Sequence, residues 1–324
     1  MKCSIFITLI FCLFCFNYSS AQDFPRTYFY KNDDRLVKTR DSADYILVIS
    51  APDTGSKFYN FTEYYADNKI RSTGKTSEPD YRKLEGHYES FYPSGQKNEI
   101  ATYNHNDKIG DYYKCYPDGK LYTHKFYEKS GENGSDYGAK ILIVECRAKS
   151  GRILAANSNG KYIGYDNDFK NKEENGPIKN GLREGTWKGK IKDKHGKLTF
   201  IEEYKNGELI SGKAVDKDKK TYTYQARAVQ PKFFDGFAAF GTYLANNIKY
   251  PYHARVNRIS GIVLIDFVVE KDGSLTDFKV KRSPDGELSE EALRVLKASP
   301  KWAPAAQYGM PVRVRFTLPV RFNI

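Results

Sequence analysis

A catalytic or metal centre in this chain would have to be built from a small stock of residues. His87, His105, His124, His195 and His253 are scattered, with no His-Glu-x-x-His pair and no Cys-x-x-Cys. None stands at zinc-ligand spacing. No Gly-x-Ser-x-Gly elbow or phosphate-binding Gly-Lys-Ser/Thr loop occurs. Glu290 and Glu291 sit on a predicted helix and face different directions, which suits solvation rather than general acid–base work. His253, just after Tyr250-Pro251, reads as a surface or capping residue. The sequence therefore predicts no enzyme, no catalytic residue, no metal and no cofactor. Three of the five cysteines lie in the first 15 residues, leaving Cys115 and Cys146. These two could form one disulfide in an oxidising compartment. Cys115 also stands where a related repeat has Phe91, so a buried free thiol fits equally well.

The remaining chemistry is that of a backbone edge. Val312, Val314, Phe316, Leu318, Val320 and Phe322 point one way, and Arg313, Arg315, Thr317, Pro319 and Arg321 the other. That alternation predicts one long strand with a wet, basic outer face. Pro319 has no N–H to donate, so the strand belongs at a sheet edge. Unpaired backbone groups on an edge can accept a guest strand. The candidate partner-strand site is Val312, Arg313, Val314, Arg315, Phe316 and Thr317.

The elements that must hold this strand follow from about Val229 in the order helix, strand, strand, helix, strand. Phe237, Phe240, Leu244 and Ile248 recur at helical steps, and Tyr250-Pro251 ends that helix. Gly261–Glu270 is rich in β-branched residues and reads as a strand. Lys271-Asp272-Gly273 is a hairpin turn. Leu275–Arg282 alternates, with Thr276, Phe278 and Val280 on one side. A second helix runs from about Glu287 with Leu288, Ala292, Val295 and Leu296 on one face, and Pro300 marks its end.

This segment resembles the C-terminal domain of TonB energy transducers. The resemblance rests on Val229, Pro231 and Phe233, then Tyr243-Leu244, Asn247-Ile248, Tyr250-Pro251, Gly261, Val263, Phe267-Val268, Asp272-Gly273 and Ser283. Trp302, Pro304-Ala305, Gly309 and Pro311-Val312 complete it, with Tyr250, Pro251, Gly261, Gly273, Pro304 and Gly309 as the family-motif positions. The resemblance implies two helices on a three-stranded antiparallel sheet. It also implies binding of the TonB box of outer-membrane receptors by strand addition, with ExbB and ExbD as energising partners where the protein is anchored. A transducer of that family has an inner-membrane anchor and a long spacer. Here the spacer is replaced by something else.

That replacement is a repeat. Gly86, Tyr88, Tyr92, Pro93 and Gly95 return as Gly110, Tyr112, Tyr116, Pro117 and Gly119, 24 residues later. A weaker copy begins at Phe61, and Asn180-Gly181 and Asn206-Gly207 continue the punctuation. Tyrosines two or four apart share a strand face, and Pro-Ser-Gly or Pro-Asp-Gly makes the turn. The units resemble MORN-type repeats. Their tyrosines read first as structure, with a sugar- or protein-binding face as the alternative. The lysine-rich stretches Lys170–Lys172, Lys188–Lys197 and Lys213–Lys220 read as solvated hairpin ends, and the stretch 166–185 as an exposed loop. Ala139–Arg147 looks like one more strand.

Residues 1–21 read as a cleavable secretory signal: Lys2, an apolar run over Ile5–Phe16, then Ser19-Ser20-Ala21. An uncleaved anchor would have only about 24 Å of helix for ~30 Å of hydrocarbon. A lipid anchor on Cys12 or Cys15 is a third option. The expected organisation is a signal over 1–21, a β-rich repeat region over 22–225 and a TonB-like domain over 230–324. In fold class, this is a mainly β array of stacked hairpins followed by a small α+β domain. The 52 basic and 40 acidic residues give a net charge of +12, which by itself would admit nucleic acid. Export sets nucleic acid aside and points to the periplasm or cell envelope. The leading expectation is a protein-interaction module for TonB-dependent transport. The alternative is a structural or polysaccharide-binding envelope scaffold.

Overall fold

The computed structural model describes residues 24–128, 140–193 and 196–324, so the expected leader and His195 lie outside the described residues. The chain divides into two compact units, one through Gly119 and one from Lys120 to Ile324.

In the first unit, alternating aromatic and polar residues produce antiparallel strands. Arg26–Tyr30, Tyr45–Ser50, Tyr59–Tyr65, Ile70–Thr76, Leu84–Phe91, Lys97–Asn104 and Asp107–Cys115 form its main ladder. The turns close as their sequence predicts: Gly95 N–H donates to the Tyr92 carbonyl and Gly119 N–H to the Tyr116 carbonyl, each at 2.8 Å. The turn tyrosines tie each unit to the next. Tyr65 Oη donates to the Phe91 carbonyl at 2.7 Å, and Tyr92 Oη to the Cys115 carbonyl at 2.7 Å. Burial pushes the Tyr92 hydroxyl up to about 12. Leu47, Ile49 and Phe61 form the core, with Tyr28, Tyr30, Tyr59 and Tyr88 packed against it. The repeat tyrosines of this unit are thus core and inter-repeat ties.

The second unit opens with further hairpins, from Leu121–Tyr127 and Ile141–Arg147 to Glu208–Val215 and Thr221–Tyr224. Among these hairpins, Gly185–Asp193 pairs with Gly196–Lys205 over nine positions without a break. Tyr122, Tyr162, Trp187 and Tyr204 follow one another along the inner face, with ring centroids 6.1, 6.0 and 6.1 Å apart. The expected loop over 166–185 is corrected here: Lys172–Lys179 and Leu182–Arg183 are strands. Gly176 and Ile178 face inward, and Trp187 Nε1 donates to the Pro177 carbonyl at 3.0 Å. The alternation in that stretch is carried by glycine, which removes the apolar signal a strand normally shows.

The C-terminal part of the same unit is a three-stranded antiparallel sheet with Gly261–Val269 in the centre, flanked by Leu275–Arg282 and Val314–Phe322. Helices Gly236–Asn247 and Gly286–Lys297 supply its cover. Asp285 caps the second helix, accepting from Glu287 N–H at 2.8 Å and Leu288 N–H at 3.3 Å. Leu288, Ala292, Val295 and Leu296 are all buried, as their spacing predicts. Leu288, Ala292 and Leu296 share one core with Val263, Ile265, Phe267, Leu318 and Val320.

Three details differ from expectation. A five-residue helix, Tyr252–Val256, adds a third helix after Pro251. The first helix turns Phe240 inward but leaves Phe237 exposed. The last strand begins at Val314, because Met310–Val312 folds back on Ala305–Gln307 and joins Ala228–Val229 in a second small sheet. That hairpin turns on Tyr308 (φ 50°) and Gly309 (φ 76°), both left-handed as a two-residue type I′ turn requires.

Candidate functional site

The strand Val314–Phe322 pairs with Gly261–Val269 over nine consecutive positions, from Val269↔Val314 to Gly261↔Phe322, with no bulge. It has no strand on its other side among the described residues. Pro319 lies opposite Leu264. Proline cannot make the two-way exchange of a hydrogen-bonded pair, so this is a non-hydrogen-bonded pair. The pairs alternate and the register is unbroken. Arg315, Thr317 and Arg321 therefore also aim their backbone N–H and C=O away from the central strand. The free edge offers donors and acceptors at 315, 317 and 321, and an acceptor alone at 319.

The six predicted residues separate into three groups. Val314, Arg315, Phe316 and Thr317 are on this edge strand. Val312 belongs to the preceding hairpin and pairs with Ala305, a correction to the single strand expected over 312–322. Arg313 lies between the two strands, held by Glu270 at 2.9 Å and by Asp277 at 2.5 Å. These hydrogen bonds raise its pKa and lower that of Glu270. It is a tie across the end of the sheet, whereas Arg315 is exposed with no ion-pair partner among the described residues. Thr317 Oγ1 donates to Asp266 Oδ1 at 2.7 Å. Phe316 packs against Phe267 and Trp302, and exposed Phe237 stacks on it at 6.5 Å.

The motif residues are framework. Tyr250 Oη donates to the Ile259 carbonyl at 2.6 Å, and its ring meets Phe322 edge-on. Pro251 begins the short helix, and Gly261 begins the central strand opposite Phe322. Gly273 has φ 83°, and a side chain there would lie 2.0 Å from the Trp302 carbonyl oxygen. Pro304 sits half-buried just before the hairpin. Gly309 allows the hairpin to touch the array, since a Cβ would lie 2.7 Å from the Thr223 carbonyl oxygen. Glu291 is also a tie: it accepts from Lys249 N–H at 2.5 Å and pairs with Arg294 at 2.7 Å, which corrects the expectation of plain solvation. Cys115 and Cys146 are both free. Of the two sequence alternatives, the thiol rather than the disulfide is found, and burial raises the pKa of each.

One cluster was not foreseen. Arg227, in the segment leading into the C-terminal domain, bonds Glu202 Oε2 at 2.6 Å and Glu174 Oε2 at 2.8 Å. Arg183 binds the same Glu174, while Tyr224 and Tyr204 donate to Glu202 at 2.8 and 3.0 Å. Tyr308 from the hairpin stacks on Phe200 at 5.3 Å and meets Tyr224 edge-on at 5.6 Å. Its N–H donates to the Arg227 carbonyl at 2.7 Å. Burial would raise the Glu174 pKa, but Arg183 and Arg227 outweigh it and hold the carboxyl below its usual range. Burial likewise opposes the charge on Arg227, and Glu202 and Glu174 overcome it, raising its pKa. The signal for this joint was present in Leu198, Phe200, Glu202 and Tyr204. They share one strand face, and an acid on that buried face requires a cation.

Among the described residues, no group of three or more His, Cys, Asp or Glu could hold a metal ion. No helix among them is long and apolar enough to cross a membrane.

The C-terminal fold is a small three-stranded antiparallel sheet backed by helices, with Leu275–Arg282 and Val314–Phe322 as its two edges. Residues 246–324 match the family described as Gram-negative bacterial TonB protein C-terminal. This match supports a TonB-like role in TonB-dependent transport. That family's domain is a non-enzymatic, periplasmic energy-transducing module. No curated protein and no solved structure matches the chain.

Proposed function

We propose that the C-terminal domain binds the TonB box of an outer-membrane receptor by strand addition along Val314–Phe322, in the periplasm. The observation that carries this reading is the unbroken nine-residue ladder on one side of that strand, which leaves the other side open. A guest strand pairs with the outward groups of Arg315 and Thr317 and stops near Pro319, where a donor is missing. Phe316 with exposed Phe237 provides an aromatic surface for its side chains. The hairpin array serves as the spacer. Its turn tyrosines direct their hydroxyls into inter-repeat bonds, which favours a spacer over a sugar-binding face. Coupling to ExbB and ExbD requires an inner-membrane anchor, and a leader removed at residue 21 would leave the domain as a periplasmic adaptor.

Calorimetric titration of the protein with TonB-box peptides tests the reading. The wild type binds saturably. Arg315→Pro removes one outward N–H without touching the ladder and weakens binding about fivefold, the equivalent of a hydrogen bond worth ~1 kcal/mol. Absence of binding to any such peptide overturns the proposal.

A further inference from the structure

A groove of about 520 Å3 lies in the second unit beside the joint, between the last array hairpins and the Tyr308–Gly309 hairpin. Its floor is apolar: Ile191, Leu198, Met310 and Val312, with Tyr222 and Tyr308 alongside. Its rim is cationic, with Lys197, Lys217, Lys220, Lys271 and Arg313 against Asp216 and Asp218. The rim charges are not equivalent. Lys217 is neutralised by Asp218 at 2.9 Å, and Arg313 by Glu270 and Asp277. Asp216 is committed to its own turn, accepting from Lys220 N–H at 2.9 Å and from Tyr222 Oη at 3.1 Å. Lys197, Lys220 and Lys271 are exposed and have no carboxylate partner among the described residues.

Three unneutralised ammonium groups around an apolar floor are complementary to a ligand with a hydrocarbon body and a compact anionic head. A cavity of this size is within the range of about 300–1,000 Å3 used for small molecules. The walls are also fixed relative to each other. Tyr308 is clamped between Phe200 and Tyr224, and Gly309 sits against Thr223. A preformed site loses less freedom on binding than one that must be assembled. We propose that this groove binds a free single-chain anionic amphiphile, with its chain on the Leu198–Met310–Val312 floor and its carboxylate or phosphate among Lys197, Lys220 and Lys271. The site is separate from the Val314–Phe322 edge and does not depend on what that edge binds.

Dodecanoate, titrated into the full chain below its micelle concentration, is the test. The expected result is saturable one-to-one binding, and no binding of dodecyltrimethylammonium, which has the same chain with the opposite charge. The double charge reversal Lys220→Glu with Lys271→Glu changes only exposed side chains and weakens dodecanoate binding at least tenfold. Met310→Glu places an acid on the floor and does the same without touching the lysines. Equal binding of the anionic and cationic chains overturns the proposal. So does unchanged affinity in both variants, or binding to anionic phospholipid vesicles with none to monomeric dodecanoate.

Discussion

Arg227 and Arg315 are the same residue type in opposite circumstances. Arg227 spans two carboxylates, one of them fully buried, and lies over the rings of Phe200 and Tyr308. Arg315 stands on the open face of an edge strand with its guanidinium in water. Arg313 is intermediate, ion-paired but more than half exposed. A patterned row of arginines draws the eye because period-two alternation is visible in a sequence. A solitary arginine in a linker carries no pattern, yet it fixes the C-terminal domain to the last hairpins of the array. Buried charge in this protein is architecture, whereas exposed charge divides between ties such as Arg313 and groups such as Arg315 that are unpaired among the described residues.

Removing Arg227 is the strongest way to test that contrast. Arg227→Ala leaves the fully buried Glu202 without its cation while Glu174 keeps Arg183, and breaking a buried pair in this way costs roughly 3–5 kcal/mol. Arg227→Lys recovers part of the loss, because one ammonium cannot reproduce the forked contact with both acids. Denaturant unfolding of the second unit measures both, and a loss below about 1 kcal/mol would erase the distinction between the two kinds of arginine.

Acid should reach the same joint by another route. The folded-state pKa of Glu174 is lowered relative to its ordinary 4.5. A lowered carboxylate contributes stability that is fully present above the unfolded value and is lost as pH falls through the folded one. The melting temperature is therefore expected to hold from neutrality to about pH 5 and to fall below the ordinary carboxylate range. Arg227→Ala should make that fall shallower, so identical acid limbs in the two proteins would show that the joint does not titrate as described. The smallest effect is expected at the surface. Arg313→Ala should leave the unfolding midpoint close to wild type, since both of its partners remain solvated, and a large shift would place Arg313 with Arg227.

What was legible in the sequence depended on how local the cause is. The edge strand, the helix over Leu288–Leu296 and the turns at Gly95 and Gly119 each arise from residues a few positions apart. Alternation, helical spacing and turn chemistry therefore predicted them. The start of the last strand was misplaced because Tyr308-Gly309 reverses the chain inside an alternation that continues through Val312. The joint was missed because Glu174 and Glu202 stand 53 and 25 residues before Arg227. Only strand register brings them together. The 166–185 stretch hid its main strand behind Gly176, whose inward position is filled by the ring of Trp187 from the neighbouring strand.

The hydroxyl bonds of Tyr65 and Tyr92 also have a direction. Each runs forward, from the turn of one unit to the carbonyl just before the next turn tyrosine. A duplicated unit inserted in phase would bring one new donor and one new acceptor, and every bond on either side of it would survive. An insertion out of phase would orphan both. Such an array can lengthen only in whole units of two strands, about 10 Å at a time. It behaves as a ruler with fixed graduations.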